Sequence, residues 1–297
     1  MATVAFGNFY YFLYIALGVL ITLLMVRFLR NKTTKFRYWF IFGLIIFNLL
    51  IHFLKIFIYP YNTVPYVLTK VSFENVCAVS ALLYPFLFFA KNKTLKDYMV
   101  LVGMASGIIT FIYPVDVMSL FFNGQEGFFS SARPAFMFEN IRFYLSHLII
   151  FLVPFLMMHY GFHTLSIKRA YRAPFMLVII LVIIFINELI LTMIGWIPKS
   201  QFFDPRFRNP SFIFGVRGDL GGLGMILGVF VPMAFRSNPW FIGEAYLPVI
   251  WLVLPAMIYG GLIALAFMFI YDTKETLYFF KLKMRIKPFE EPYDLKE

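Results

Sequence analysis

Cys77 is the only cysteine in a chain of 297 residues, and a thiol becomes chemically interesting when an imidazole can reach it. His147 is the candidate. In such a pair the imidazole accepts the thiol proton, the thiolate attacks an acyl carbonyl, and a covalent acyl-enzyme forms. Other polar residues interrupt the apolar runs at regular spacings. Asn48, His52 and Lys55 fall at i, i+4 and i+7, the spacing of one helix face. Asn140, Tyr144 and His147 repeat that pattern, with Glu139, Arg142 and Ser146 beside them. Glu74 precedes Cys77 by three positions, and Asn187 and Glu188 form a further pair. Asn75, Lys55 and Arg142 are candidates to stabilise a tetrahedral oxyanion, while Tyr144 or Glu188 could orient the imidazole.

The elements that must position these groups are membrane helices. Hydrophobic residues make up 61% of the chain and charged residues 14%, and 40 residues are Phe. Apolar runs near the roughly 20 residues needed to cross a bilayer core recur along the whole sequence. Seven spans are expected, near 5–26, 38–59, 71–90, 98–114, 139–163, 174–197 and 245–271, in a single all-α membrane domain. The net charge of +11 falls in short loops beside helix ends, which marks topology rather than nucleic-acid binding. Arg27, Arg30, Lys32, Lys35 and Arg37, then Lys91, Lys93 and Lys96, then Lys168, Arg169 and Arg172 share one side with the basic tail 272–297. The positive-inside bias makes that side cytoplasmic, with the N-terminus outside and the C-terminus inside a multi-pass protein of the cell membrane.

Gly221 to Phe235 is too short to cross comfortably, at about 22 Å against a core of roughly 30 Å, and is expected as a re-entrant or interfacial helix. Two segments on the opposite side from the basic loops also carry charge. One holds the turn signal NGQEG at Asn123 to Gly127, then Arg133 and Pro134. The other holds Lys199, Arg206, Arg208, Arg217 and Arg236, set against Asp204, Asp219 and Glu244.

Depth is the informative coordinate, because an ionisable group inside a span costs about 2.5–3.5 kcal/mol even on mild insertion scales. Counted from the non-cytoplasmic ends, His52, Cys77, His147 and Glu188 lie about 9–15 Å deep at 1.5 Å per residue. Spans two, three, five and six are therefore expected to converge on one polar cavity, with Asn140, Tyr144 and His147 facing it. Plainer readings stand beside this. Lys55 and Arg142 can snorkel, Glu139 can pair with Arg142 on its own helix, and a lone cysteine also serves as a small hydrophobe. His159 and His163 are expected at the opposite interface, apart from the site. No HExxH, P-loop, GxSxG or dinucleotide fingerprint occurs, one cysteine builds no cysteine metal site, and nothing calls for a cofactor.

A cysteine-bearing third span, the stretch FLFFAKNKTLKDY, a following span ending in ITFIYP, and FYLSH opening the next helix together resemble the YwaF-type family of integral membrane proteins. That family is similar to eukaryotic membrane enzymes acting on lipid acyl chains: a Cys/His acyltransferase of ether phospholipids and Thr/His hydrolases of fatty acid esters. The resemblance implies Cys77 as nucleophile, His147 as its base and an acylated membrane lipid as substrate. Three readings remain: a lipid acyltransferase or acyl hydrolase, a non-enzymatic transporter or binder in which His52, Lys55, Arg142 and Glu188 receive an anion or small zwitterion, and a membrane assembly factor whose polar groups only join helices.

Overall fold

The computed structural model describes residues 2–118, 133–202, 210–216, 221–237 and 246–280. The NGQEG turn, Asp204, Arg206, Arg208, Arg217, Asp219, Glu244 and the tail beyond residue 280 lie outside them. The described residues are helical apart from their connections, with one isolated bridge between Thr3 and Pro134.

Among the described residues six helices are long and apolar enough to cross a membrane. They are α1 (Phe9–Arg30), α2 (Thr34–Leu54, prolonged by a 3-10 turn to Phe57), α4 (Lys93–Met118), α5 (Phe138–His159), α6 (Ile167–Met193) and α9 (Ile250–Tyr271). The expected third span is shorter. Helix α3 (Val76–Phe89) has 14 residues, about 21 Å at 1.5 Å per residue. Residues 55–71, expected in part as helix, form three short 3-10 turns instead: Lys55–Phe57, Tyr61–Thr63 and Val67–Val71. Asn75 ends that stretch by capping α3, its Oδ1 accepting from the Ala78 N–H at 2.8 Å.

Gly221 to Phe235 is not one helix. It breaks into α7 (Gly221–Gly228) and a single turn, α8 (Met233–Arg236). Pro232 lies between them, and a proline both lacks the N–H a helix needs and disfavours helical backbone in the residue before it. Helix α10 (Thr273–Phe279) follows α9.

Helix α5 is the centre of the bundle. It is the most buried of the six long helices and packs on α1, α2, α3 and α4. Helix α4 approaches it closely because Gly107 carries no side chain, and Gly103 one turn away makes room for Tyr84 of α3. The Tyr84 hydroxyl occupies the place of a Gly103 Cβ, and a Cβ on Gly107 would lie 2.9 Å from the His147 carbonyl oxygen. This is the small-xxx-small spacing of membrane helix contacts. Between Lys93–Tyr98 and Ala105–Ile112, residues Met99–Met104 form a π-helical stretch, wholly buried. The Tyr84 hydroxyl lies 3.1 Å from the Met99 carbonyl and 3.2 Å from that of Ile150, both acceptors. Helices α6 and α9 pack along each other, and the N–H of Ile167, opening α6, donates to Asp272 just past the end of α9.

The bundle thus has a basic end, carrying the α1–α2, α3–α4 and α5–α6 connections, and a site end, carrying the turns of 55–71 and the start of α5. A polar cluster closes the basic end. Asp97 accepts from His163 Nε2 at 2.8 Å and from Arg169 Nε at 2.7 Å. Both Asp97 and His163 are buried. His163, expected at an interface, is therefore a core residue of this end.

Candidate functional site

A cavity of about 640 Å³ opens among the helices at the site end. Cys77 and His147 both line it, as do His52, Lys55, Asn75 and Arg142. Cys77 occupies the first turn of α3. Of the N–H groups there, that of Val76 donates to Ser211 Oγ at 3.0 Å and that of Ala78 to Asn75. Among the described residues the Cys77 N–H has no partner, as expected for a first-turn donor not reached by a cap. Residues 210–216, which bring Ser211 to α3, are pinned by Trp251, whose indole N–H donates to the Phe212 carbonyl at 3.0 Å.

The thiol of Cys77 lies within hydrogen-bonding reach of the hydroxyls of Ser106 and Thr110 on α4. Those hydroxyls spend their own hydrogens on the carbonyls of Gly103 and Ser106, so toward the thiol they act as acceptors. His147 is held differently. Its Nδ1 is 2.7 Å from the Phe143 carbonyl oxygen. A carbonyl only accepts, so Nδ1 carries the hydrogen and Nε2 of the neutral ring keeps its lone pair. The imidazole is thus oriented by its own helix backbone, a role the sequence suggested for Tyr144 or Glu188. Among the described residues Cys77 and His147 share the cavity wall without a hydrogen bond between them.

Above the pair the wall is charged. Lys55 donates to Glu74 at 3.0 Å, and Lys70 reaches the other oxygen of that carboxylate at 3.4 Å. Arg142 grips Glu139 with Nε and a terminal nitrogen, each at 2.6 Å, a two-bond pairing that suits the planar guanidinium. Tyr61 donates to Glu139 at 2.9 Å, and its ring stands 5.3 Å from Lys55 Nζ and 5.6 Å from the Arg142 guanidinium carbon. Burial and the adjoining Glu139 carboxylate raise the Tyr61 phenol well above its usual pKa, so it remains a donor. His52 donates from Nε2 to the Val71 carbonyl at 3.2 Å, tying α2 to the last 3-10 turn.

The face of α5 turned to the cavity is the one carrying Glu139, Arg142, Phe143, Ser146 and His147. Asn140 and Tyr144, expected on it, do not line the cavity. Tyr144 stacks on Tyr14 with ring centres 3.9 Å apart, and Asn140 donates to the Pro134 carbonyl at 2.9 Å. Ser146 donates to Asn48 at 2.8 Å and locks α5 to α2. Asn187 and Glu188 are also absent from the cavity wall. Asn187 donates to Ser72 at 3.1 Å, and Glu188 is fully buried. Helix α6 supplies Ala173, Leu177 and Leu181 instead. Ser106, Thr110, Tyr61 and Ser211 line the site without having been singled out from the sequence. The signal for the first two was the GMASGIIT run of α4, whose small residues mark close helix packing.

Among the described residues no group of three or more His, Cys, Asp or Glu could hold a metal. The model of the TMEM164 family matches residues 5–200, more than half of the chain and all of α1 to α6. No curated protein and no solved structure matches.

Proposed function

The chain belongs to the TMEM164 family, whose members are membrane proteins, and from that premise we propose that it transfers or hydrolyses lipid acyl groups through Cys77 and His147. The observation that carries this reading is the shared cavity: a thiol at the first turn of a helix and an imidazole with Nε2 available open onto one chamber between membrane helices. The YwaF-type resemblance read from the sequence points to the same chemistry.

In the proposed cycle the acylated lipid enters and the thiol turns from Ser106 and Thr110 toward His147. Nε2 takes its proton, and sulfur attacks the ester carbonyl. The Cys77 N–H is placed to donate to the resulting oxyanion, where donors fixed in advance contribute most. Collapse of the intermediate expels the lipid alcohol, which leaves with the proton from His147, and a thioester remains on Cys77. A hydroxyl of a second lipid, or water, then gives up its proton to His147 and attacks the thioester, releasing the acylated product and restoring the thiol. Lys55 and Arg142 are tied to carboxylates, so their role is to shape the charged mouth. In this reading α3 counts as a seventh crossing, the basic end faces the cytoplasm by its charge, and the cavity mouth lies toward the outer leaflet of the cell membrane.

The test is intact-mass spectrometry of the purified protein after incubation with phospholipid in detergent micelles. A hydroxylamine-labile acyl adduct on Cys77 is expected, absent from Cys77→Ala. Acyl transfer should fall by about 10²–10⁴-fold in His147→Ala, the usual contribution of a general base. No adduct on the wild-type protein, with lipid demonstrably bound, overturns the reading.

Among the described residues the four cations Lys55, Lys70, Arg133 and Arg142 against the three carboxylates Glu74, Asp116 and Glu139 on the cavity wall favour a second reading, a binder or transporter of anionic small molecules. Cys77→Ser would then leave ligand uptake intact, whereas Arg142→Gln would abolish it.

A further inference from the structure

The cavity continues past Cys77 and His147 toward the basic end, and its character changes there. The deep wall is made by Leu101 of α4, by Leu177 and Ala173 of α6 and by Gly260 and Ile263 of α9, without a charged side chain. Behind Leu101 and Ala173 lies a buried apolar cluster that includes Val100, Met104, Ala264 and Met268. This cluster gives the deep lobe a floor. Its depth follows from helix rise: the eight residues from Leu181 to Ala173 span about 12 Å at 1.5 Å each. An extended hydrocarbon advances about 1.25 Å per methylene, given carbon–carbon bonds of about 1.5 Å, so that stretch of wall matches about ten methylenes.

We propose that this deep lobe is the seat of one acyl chain and that Ala173 and Ile263 at its floor set the chain length the protein accepts. The occupant is an acyl tail because the lobe wall is apolar and continuous with the chamber that holds the nucleophile and the charged mouth. A polar ligand would strip its water with nothing charged to receive it. The small side chains matter most. A Cβ added at Gly260 would stand 3.5 Å from Pro174 Cα, at ordinary contact distance, so α6 and α9 are already as close as a filled wall allows. The free length of the lobe is therefore set by what projects from Ala173, Leu177 and Ile263.

This deepens the acyl-transfer reading but is tested apart from it, on Cys77→Ala protein, by mass spectrometry of the acyl lipids that remain bound after purification and exposure to phospholipids of mixed chain length. Adding Ala173→Phe at the floor should shift the retained chains shorter by about two carbons. Leu177→Trp, one helical turn or about 6 Å nearer the thiol, should shift them further, by about four or five. Ile263→Ala should shift them longer, and this enlarging variant guards against mistaking a misfolded protein for a shortened lobe. Unchanged chain lengths in all three, or a larger shift at Ala173 than at Leu177, overturn the assignment. Graded lengths in a protein that never forms a Cys77 adduct would uphold the gauge and defeat the acyl-transfer reading. An adduct with indifferent lengths would do the reverse.

Discussion

Gly107 lies against the backbone of His147: a Cβ on the glycine would stand 2.9 Å from the histidine carbonyl oxygen and 3.1 Å from the Phe151 N–H nitrogen. The position of the imidazole is therefore tied to the distance between α4 and α5. Gly107→Ala should force the helices apart by a few tenths of an ångström and cost about 1–3 kcal/mol, as overpacking does. Gly43 has open space around it, so Gly43→Ala is the control and should leave the melting temperature unchanged or raised. Thermal unfolding in detergent measures both. Equal, negligible effects would show that the α4–α5 contact does not hold His147.

Tyr84 and Gly103 form a second coupled pair. With the hydroxyl of Tyr84 standing where a Gly103 Cβ would go, Gly103→Ala should be more damaging than Gly107→Ala. Tyr84→Phe removes the donor to the Met99 and Ile150 carbonyls and should cost about 1–2 kcal/mol, the scale for unsatisfied buried groups. In the double variant part of the Gly103→Ala loss should return, because the colliding oxygen is gone. A double-mutant cycle reads this as a favourable coupling between contacting residues; strict additivity would contradict the geometry.

The helical spans, and the gathering of His52, Lys55, Cys77, Arg142 and His147 in one chamber, were legible in the sequence because burying polar groups among apolar runs constrains their depth. The facing of α5 was not. Its polar residues satisfy helical spacing twice, as 140, 144 and 147 and as 139, 142 and 146, and spacing alone cannot say which stripe meets a cavity. What decides is the neighbour: Tyr14 on α1 offers a ring to Tyr144, while Asn48 on α2 offers an acceptor to Ser146. The shortness of α3 was hidden for a related reason. Residues 55–59 and 71–75 continue apolar runs and read as the ends of two spans, while tertiary bonds, such as His52 to the Val71 carbonyl, fold this region into turns. Glu188 shared the right depth but lies away from the chamber wall.

The Asp97, His163 and Arg169 cluster should prove structural and separable from the site. Asp97→Asn deprives the half-buried Arg169 and the buried His163 of the charge on their shared acceptor and should cost about 1–3 kcal/mol, the range for leaving buried polar groups poorly satisfied. Because the cluster sits at the basic end, the surviving folded fraction should form the Cys77 adduct at the wild-type rate. Size-exclusion yield and melting temperature report the first effect, and adduct formation per folded molecule the second. A loss of chemistry without a loss of stability would mean that the two ends communicate.

The charged mouth gives the last prediction. Glu74 lies between Lys55 at 3.0 Å and Lys70 at 3.4 Å, so its carboxylate meets two ammonium groups. Glu74→Gln removes that charge while keeping the side chain's length, and the mouth becomes more positive by one unit. One elementary charge near an anionic lipid surface contributes about 1 kcal/mol, about a fivefold change in an equilibrium constant. Anionic phospholipid should therefore be retained about fivefold more strongly relative to zwitterionic phospholipid in Glu74→Gln, and Lys55→Met should move the ratio the other way. Lys55 and Glu74 are little exposed, so salt screens them less than surface charges and both shifts should shrink only modestly as salt rises. Competitive lipid retention at two ionic strengths measures this directly. A ratio that ignores both charge and salt would assign these residues to holding the 55–71 turns in place, and would leave headgroup recognition to the paired Arg142 and Glu139.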